Sequence, residues 1–250
     1  MSIEIIGSRE KAIAIVSSEK EINIEEIFKN NKNVKSILKK IGKREGEFRL
    51  EKLEIIAGSY DTEVIHKEFN LKLKLDPTKV YFSSREATER RRIVNLVSDN
   101  EKILVMFSGI APIAIHLAKS KNVKVYCIEL NKIAHEYAKE NIKINRVEDK
   151  VFLFNGDVRE VCRNELKYEK FDRIIMPIIN SLDFLDLAIE KINKNGFIHV
   201  YFVSKENDFS ELKERLKSFK FLEITNIQKV LAYAPRAFKY RADLKIFYGD

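Results

Sequence analysis

The 250-residue chain has few of the residues that mark special folds: two cysteines, four prolines and eight glycines. Cys127 and Cys162 cannot build a disulfide framework, and no CxxC or Cys/His spacing typical of a zinc site is present, so we expect a reducing compartment and no metal. No apolar run approaches the roughly 18 residues that span a bilayer, and no basic segment followed by an apolar core begins the sequence. We therefore expect a cytoplasmic protein that does not contact a membrane.

A phosphate-cradling GxxxxGK[ST] motif is absent too, which disfavours a nucleoside triphosphate as ligand. Basic charge is in excess: 46 Lys and Arg against 38 Asp and Glu give a net charge of +8. This excess favours a polyanionic partner, because neutralised phosphates release their counterions, although dense mixed charge is also common on heat-resistant surfaces. The hydrophobic content of 45% is enough for a real core, so the composition is that of a globular protein.

The pattern of apolar residues divides the chain into two regions. Residues 1–83 are predicted to form a small, charged α+β domain, with strands at 12–16 and 53–58, a helix at 24–40 and a hairpin at 63–75 that turns at Asn70. Residues 84–250 alternate helices with short apolar strands, which predicts a mostly parallel, doubly wound α/β sheet because parallel strands need crossover helices. The predicted strands are 102–107, 123–128, 150–154, 172–176 and 197–203, with an antiparallel pair near 221–230 and 239–248. The predicted helices are 84–97, 112–119, 131–144, 181–193 and 208–218.

The ends of the first three strands of this sheet carry the candidate ligand residues. A doubly wound sheet binds its ligand beyond the carboxyl ends of its strands, where the strand order reverses. Gly109 follows the first strand and lets backbone approach a ligand closely, while Glu129 ends the second strand, where a carboxylate accepts ribose hydroxyls. Asp157 follows the third strand, where it either receives an adenine amino group or caps the next helix. The predicted nucleoside contacts also include the neighbouring residues Phe107, Leu130 and Val158.

The helix at 84–97 carries the candidate catalytic carboxylate, Glu89. This residue continues the apolar face of the helix, so we expect it to be partly buried. Burial raises the pKa of a carboxyl group, which suits a general base, whereas nearby arginines lower it. A purely structural alternative stays open, because Ser83 and Glu86 have the spacing of a capping box. Helix-stabilising ion pairs are also spaced four residues apart: Arg85/Glu89 and Glu86/Arg90.

Residues 81–92, which read YFSSREATERRR, resemble the signature Y-F-S-P-R-L-A-T-E-R-x-R of the archaeal and eukaryotic tRNA guanine-N1 methyltransferases that modify position 37. The likeness extends from about residue 60 to 248 and includes the segments 65–68, 73–76, 141–145, 156–160, 196–199 and 233–236. A sister family, the aminocarboxypropyltransferases of wyosine synthesis, shares the fold but is less similar at 81–92 and 233–236. The resemblance implies a Rossmann-like class I methyltransferase fold, S-adenosylmethionine as cofactor and the tRNA anticodon loop as partner.

The resemblance also implies roles for individual positions. Glu89 matches the family's general base for the guanine N1 proton, Arg85 matches an arginine beside that base, and Tyr81 matches a cofactor-side tyrosine. Glu129 would hold the ribose and Asp157 the adenine edge. Residues 1–83 are expected to contact the RNA, and the protein is expected to act as a monomer.

Several positions depart from the family pattern. Val105 stands where the family has aspartate, and Ala111 replaces the second glycine of the loop after the first strand. The family's N-L-P segment is replaced by Pro-Ile-Ile-Asn at 177–180, so Asn180 is the predicted substitute beside the target base. The chain is also short for the additional N-terminal domain that grips the tRNA elbow in full-length enzymes. We expect methylation of guanine N1, or of a tricyclic derivative; aminocarboxypropyl transfer to a wyosine precursor, and a degenerate RNA-binding homologue, stay open as alternatives.

Overall fold

A computed structural model describes residues 2–17, 22–42 and 50–247. The strands are β1 (Ser2–Gly7), β2 (Ala12–Ser17), β3 (Val34–Lys40), β4 (Leu53–Gly58), β5 (Val64–Glu68), β6 (Leu71–Leu75), β7 (Lys102–Met106), β8 (Lys124–Glu129), β9 (Val151–Asn155), β10 (Phe171–Met176), β11 (Ile192–Lys205), β12 (Leu222–Ala234) and β13 (Ala237–Ile246). The helices are α1 (Ile24–Asn30), α2 (Ala87–Leu96), α3 (Pro112–Ser120), α4 (Lys132–Asn145), α5 (Val158–Arg163), α6 (Leu185–Lys191) and α7 (Ser210–Leu216), with 3-10 turns at Ser84–Glu86 and Ser181–Phe184. None of the helices in the described ranges is long and apolar enough to cross a membrane.

The large sheet has seven strands in the order β12-β13-β11-β10-β7-β8-β9. The five strands from β11 to β9 run parallel, and β13 and β12 pair antiparallel at one edge. This arrangement confirms the predicted doubly wound sheet and its antiparallel finish; residue 248, which the predicted last strand included, lies outside the described residues. The order reverses at β7, since the chain adds β8 and β9 on one side and β10 and β11 on the other. A ligand site is therefore expected beyond the end of β7.

The first part of the chain forms a second sheet, in the order β1-β2-β3-β4. The predicted strands at 12–16 and 53–58 are confirmed, but the helix predicted over 24–40 is wrong in its second half. Helix α1 ends at Asn30, and β3 runs parallel to β2. The amide of Asn31 donates to the carbonyl of Ile27 and closes the helix, and Ile37 and Leu38 are fully buried in the sheet. Pairing with β2 thus overrides the helical pattern of a segment that is apolar enough for either structure.

The predicted hairpin is confirmed as β5 and β6, joined by a turn in which Phe69 and Asn70 have positive φ angles of 44° and 67°. Its inward face is unusually polar. Glu68 is buried and receives two hydrogen bonds from the guanidinium of Arg90, at 2.7 Å from Nε and 2.5 Å from Nη2. His66, also buried, accepts a hydrogen bond from the backbone N–H of Gly7 in β1. The hairpin is thereby tied to both β1 and α2.

Helix α4 holds the other edge of the hairpin with two side-chain amides, Asn141 and Asn145. Asn141 accepts from the N–H of Lys74 at 2.6 Å and donates to its carbonyl at 3.0 Å. Asn145 does the same with Lys72, at 3.1 and 2.7 Å. The two amides stand four residues apart on one face of the helix and so satisfy backbone groups of β6 that a neighbouring strand would otherwise take.

One hydrophobic cluster contains residues from both regions of the chain, among them Ile13 of β2, Leu73 of β6 and Ile93 of α2. The first sheet, the hairpin and α2 therefore share a core with the sheet's β7 side. The domain boundary proposed at residue 83 stays a prediction.

Candidate active site

A pocket of about 360 Å³ opens beyond the carboxyl ends of β7, β8, β9 and β10. This is the point at which the strand order reverses, as the doubly wound pattern predicts. Eight of the ten residues predicted from the sequence for the site line it: Tyr81, Phe107, Gly109, Glu129, Leu130, Asp157, Val158 and Asn180. The other two, Glu89 and Arg85, do not line it.

In the loop after β7, every second residue has a left-handed backbone conformation. The φ angle is 59° at Phe107, 57° at Gly109 and 63° at Ala111. At Gly109 an added Cβ would meet nothing nearer than the carbonyl oxygen of Tyr81, at 4.0 Å, so this backbone faces open space in the pocket. Ala111 keeps the conformation that a glycine would adopt, although a side chain there costs about 1–2 kcal/mol. The backbone at position 111 is therefore in a conformation that a glycine adopts without this cost.

The carboxylate of Glu129 is held by two backbone N–H groups. Gly109 donates to Oε2 at 2.7 Å and Asn131 donates to Oε1 at 2.8 Å. Burial raises the pKa of Glu129, while these hydrogen bonds favour the charged form and lower it. Each carboxylate oxygen has a further lone pair, so a carboxylate fixed in this way can still accept hydrogen bonds from a pair of hydroxyl groups.

Asp157 lies at the pocket and also caps α5, since its carboxylate accepts from the N–H of Arg159 at 2.7 Å. The capping role that the sequence left open is present in the structure. Beside it the ring of Phe184 lies 4.7 Å from the ring of Phe107, edge to face, with the guanidinium of Arg159 at 4.2 Å from the Phe184 centroid. These rings and the guanidinium give the Asp157 end of the pocket flat apolar and cationic surfaces.

Glu89 lies behind the pocket, with only 4% of its surface exposed. Its Oε1 accepts from the hydroxyl of Tyr201 at 3.0 Å and from Nη1 of Arg241 at 2.5 Å. Its Oε2 is buried and has no hydrogen-bond partner among the described residues; Nη1 of Arg92 lies 3.7 Å from this oxygen. Burial raises the pKa of Glu89 and Arg241 lowers it, with burial the larger effect. Burial and arginine thus act in opposite directions on the pKa of this carboxyl group.

The turn before α2 uses its side chains for long-range contacts. Ser83 makes no capping hydrogen bond and instead donates to Oε1 of Glu4 at 2.9 Å. Arg85 has half of its side chain exposed and lies 3.6 Å from Oε2 of Glu4. Glu86 accepts from the hydroxyl of Tyr81 at 3.1 Å and lines the pocket. The capping box that the spacing allows is therefore not formed, and these charges pair outside their own helix.

The loop after β10, Pro177 to Asn180, lines the side of the pocket opposite the loop after β8. Oδ1 of Asn180 is buried and has no hydrogen-bond partner among the described residues. A buried amide oxygen without a partner costs about 1–3 kcal/mol, and such an oxygen in a pocket is suited to accept from a ligand N–H. The structure thus brings Asn180 to the pocket wall, as the substitute predicted for the missing family asparagine requires.

The pocket residues that the sequence did not predict include four with charged or aromatic side chains that bear on ligand binding: Glu86, Arg159, Phe184 and Lys239. Lys239 is 4% exposed and donates to Oε1 of Glu86 at 2.9 Å. The strand segment 239–243 alternates charged and apolar residues, which in a sequence is the pattern of a solvent-facing strand. Arg159 and Phe184 follow strand ends, and that position in a doubly wound sheet was the available signal.

Residues 64–226 match the model of the TRM5/TYW2 methyltransferase domain family. The chain is 36% identical over 258 aligned positions to the tRNA (guanine(37)-N(1))-methyltransferase Trm5b of Pyrococcus abyssi, covering 98% of this chain and 74% of that protein. It is 35% identical over 243 positions to the tRNA(Phe) (4-demethylwyosine(37)-C(7)) aminocarboxypropyltransferase of Methanocaldococcus jannaschii, covering 93% of this chain and 94% of that protein.

Solved structures show the same two kinds of relative. The complex of aTrm5 with tRNALeu superposes with a TM-score of 0.86 at 33% identity, covering 98% of this chain and 72% of that one. The Methanocaldococcus jannaschii TYW2 structure in complex with AdoMet gives 0.73 at 28% identity, covering 99% of this chain and 100% of that one. The fold and the pocket described above therefore lie on a scaffold common to both kinds of enzyme.

Proposed function

Since the chain belongs to the TRM5/TYW2 methyltransferase family, we propose that it transfers the methyl group of S-adenosylmethionine to N1 of guanine, or of a tricyclic guanine derivative, at position 37 of a tRNA anticodon loop. We further propose a cytoplasmic monomer in which residues 1–83 contact the RNA. The net charge of +8 of the whole chain supports a polyanionic partner.

One observation carries this proposal: the pocket at the switch point of the sheet is closed by the segment 81–92, the part most specific to guanine-N1 methyltransferases. Tyr81, Ser83, Glu86 and Arg90 of that segment line the same pocket as Glu129. Glu129, the residue predicted to bind the cofactor, and the segment 81–92 thus line one cavity, although they lie about forty residues apart in the chain.

The pocket fits S-adenosylmethionine at its β8 and β9 side. Glu129 is oriented by two backbone N–H groups with lone pairs to spare, which suits the ribose hydroxyls, and Gly109 leaves room for close backbone approach. Asp157 is our candidate for the adenine edge, with Phe107, Leu130 and Val158 alongside. When bound there, the cofactor supplies a methyl group on a positively charged sulfur.

Methylation of guanine N1 needs a base, because the N1 lone pair is free only after the N1 proton has left. We propose that Glu89 is the base that accepts this proton, a role that its raised pKa supports. Tyr201 and Arg241 both donate hydrogen bonds to Oε1 of Glu89, so we propose that Oε2 accepts the proton. The roles of Arg85 and Asn180 beside the target base stay predictions.

A second candidate is aminocarboxypropyl transfer to a wyosine precursor in tRNA. The comparisons favour it, because the chain is 35% identical to a tRNA(Phe) (4-demethylwyosine(37)-C(7)) aminocarboxypropyltransferase and covers 94% of that protein. The departures at Val105, Ala111 and Pro177 instead motivate the third alternative, a degenerate RNA-binding homologue.

The two candidates differ in the carbon that is transferred, so they are separated by the position of an isotope label. Purified protein is incubated with unmodified tRNA, or with tRNA carrying the wyosine precursor, and with cofactor labelled in the methyl group or in the carboxypropyl chain. Nucleoside mass spectrometry then identifies the product.

We expect label from the methyl group in 1-methylguanosine or in an N-methylated tricyclic base. Label from the carboxypropyl chain would establish the second candidate instead. If neither label is transferred although tRNA and cofactor both bind, the protein is a degenerate RNA-binding homologue and both transfer proposals fail.

A further inference from the structure

Strand β13 presents a row of charged side chains on one face: Lys239, Arg241 and Asp243. All three are buried, at 4%, 2% and 4% exposure. The alternate residues on the other face, including Tyr240 and Leu244, pack in the hydrophobic core. A strand with one apolar and one charged face normally turns the charged face to water. In β13 the charged face instead lies under α2 and the turn before α2.

Each charge in the row has a partner. Lys239 pairs with Glu86 at 2.9 Å and Arg241 with Glu89 at 2.5 Å. Asp243 accepts from Arg241 and lies 2.6 Å from Nδ1 of His199. Buried charges are tolerated only when paired, so the row fixes the turn and the helix over the strand. Within the row, Lys239 is the member that lines the pocket.

The ammonium group of Lys239 retains donor capacity. It donates to Glu86 Oε1 and, at 3.4 Å, to the carbonyl oxygen of Pro177, and it lies 4.9 Å from the centre of the Tyr201 ring. A lysine has three donor hydrogens, so one is left for a ligand. The hydroxyl of the same Tyr201 ring donates to Glu89, so Tyr201 contacts both Lys239 at the pocket and the proposed base.

Sheet order puts this cation at the acceptor end of the pocket. Glu129 ends β8, and from β8 the sheet continues through β7, β10 and β11 to β13, four strand spacings or about 19 Å. Lys239 therefore stands far from the residues that suit the cofactor's ribose, and next to Pro177, in the loop that carries Asn180. Arg85, the cation predicted from the sequence, pairs with Glu4 and does not line the pocket.

We propose that Lys239 is a catalytic residue that donates a hydrogen bond to O6 of the target base. This inference rests on the proposed guanine-N1 methylation. The N1–H bond breaks with its electron pair left on the base and its proton passing to Glu89, and the resulting negative charge spreads onto O6. The ammonium group balances that charge in a site with little water. The N1 electron pair then forms the bond to the methyl carbon, whose bond to sulfur breaks with its electrons staying on the sulfur, which becomes neutral.

The test compares Lys239→Met with Lys245→Met, a matched lysine on the same face of β13 that lies against Phe197 and Phe247 and outside the pocket lining. We expect Lys239→Met to lower the single-turnover rate of methyl transfer roughly 10²–10³-fold, the range for losing one charge-stabilising donor. Its affinity for the cofactor should be unchanged, and Lys245→Met should behave as wild type.

A second substrate separates a catalytic role from a structural one. Sulfur accepts hydrogen bonds weakly and spreads negative charge well, so tRNA with 6-thioguanosine at position 37 depends less on a cation at position 6. We expect the loss caused by Lys239→Met to shrink at least tenfold on this substrate. Equal losses on both substrates would overturn the proposal, since a misfolded pocket is indifferent to that atom.

Lys239→Arg keeps the ion pair with Glu86 and serves if the methionine variant does not fold. We expect it to retain activity on guanine while changing the ratio of the guanine and 6-thioguanine rates, because its planar fork presents its donors differently. An unchanged ratio would overturn the proposal.

Absence of methyl transfer by the wild-type protein would contradict the proposed function itself. Wild-type transfer, with Lys239→Met as active as Lys245→Met, would contradict only the role of Lys239.

Discussion

Glu89 and Glu129 are both carboxylates whose pKa is raised by burial, yet they are held in different ways. Backbone N–H groups fix both oxygens of Glu129. Side chains fix only Oε1 of Glu89, and Oε2 is left without a hydrogen bond among the described residues. A fully oriented carboxylate suits the holding of a ligand, and one with a free oxygen suits the acceptance of a proton.

For Glu89→Gln we expect kcat to fall by roughly 10²–10⁴, because the amide cannot accept the N1 proton, with little change in cofactor affinity. The wild-type rate should rise with pH through the pKa of Glu89, which lies above its ordinary value of 4.5, since only the charged form is a base. This acid limb should vanish in the variant. Single-turnover rates across pH and equilibrium dialysis of the cofactor measure both effects.

Glu129→Ala is the matching control, because it should weaken cofactor binding and leave the transfer rate at saturating cofactor much less affected. If each substitution changed affinity and turnover to the same extent, the two roles would be assigned wrongly.

Among the secondary-structure elements, α4 does what a neighbouring strand would do for the hairpin. Asn141 and Asn145 each satisfy one N–H and one carbonyl of β6, and Asn141 also donates to the carbonyl of Ile110 near the pocket. The hairpin in turn contributes Glu68, the partner of Arg90 at the pocket wall. The position of the pocket wall thus depends on this amide pairing.

Asn141→Ala should lower the free energy of unfolding by about 2–4 kcal/mol, because the N–H and the carbonyl of Lys74 both lose their partner. Urea denaturation measures the loss, and hydrogen exchange should show the Lys74 amide losing protection. Lys143→Ala, an exposed substitution on the same helix, is the control and should be close to neutral. An Asn141 variant as stable as this control would show that the amide does not hold the hairpin.

For the molecule as a whole, a buried carboxylate connects three elements. Glu68 of the hairpin binds Arg90 of α2 and lies 3.5 Å from Nε2 of His116 in α3. These partners, together with His66, outweigh the effect of burial and hold the pKa of Glu68 well below its ordinary value of 4.5. A carboxyl group whose pKa is lower in the folded state stabilises the fold above its unfolded pKa and loses that contribution as pH falls.

The stability difference between wild type and Glu68→Gln should therefore be full above about pH 4.5 and shrink steadily in more acidic solution. Urea unfolding of both proteins from pH 7 to pH 3 measures the difference directly, and comparing them cancels the opposite effect of Glu89 and Glu129. A difference that stayed constant over this range would mean that the pKa of Glu68 is the same in the folded and the unfolded protein, which would contradict its lowered pKa.

The net charge of +8 gives a prediction for the proposed RNA partner. Affinity for tRNA should fall roughly tenfold or more between 50 and 200 mM salt, because each phosphate contact releases counterions. Filter binding across salt concentrations measures the slope, with cofactor affinity as a control that should change little. Salt-independent tRNA binding would contradict an interface built on phosphate contacts.

Most strands of the large sheet were predictable because their signal is local. The apolar runs at 102–107 and 172–176 can be buried only in a sheet covered on both faces. The strands of the first sheet were harder to predict, because they are mixed in composition. The segment 34–40 was predicted as helix, and it is a strand because β2 offers a parallel partner. Pairing of this kind depends on residues that are distant in sequence.

The sequence by itself determined the alternation of strands and helices, and with it the edge of the sheet at which Gly109, Glu129 and Asp157 meet. Periodicity and strand ends are local properties, so they can be read without coordinates. The tertiary structure alone decided that Glu89 faces Arg241 and that Lys239 is buried at the pocket. Lys239 and Glu86 are 153 residues apart in the sequence. A strand with one charged face is predicted to expose that face to solvent, because the opposite charges that cover it are distant in the sequence and meet it only in the folded protein.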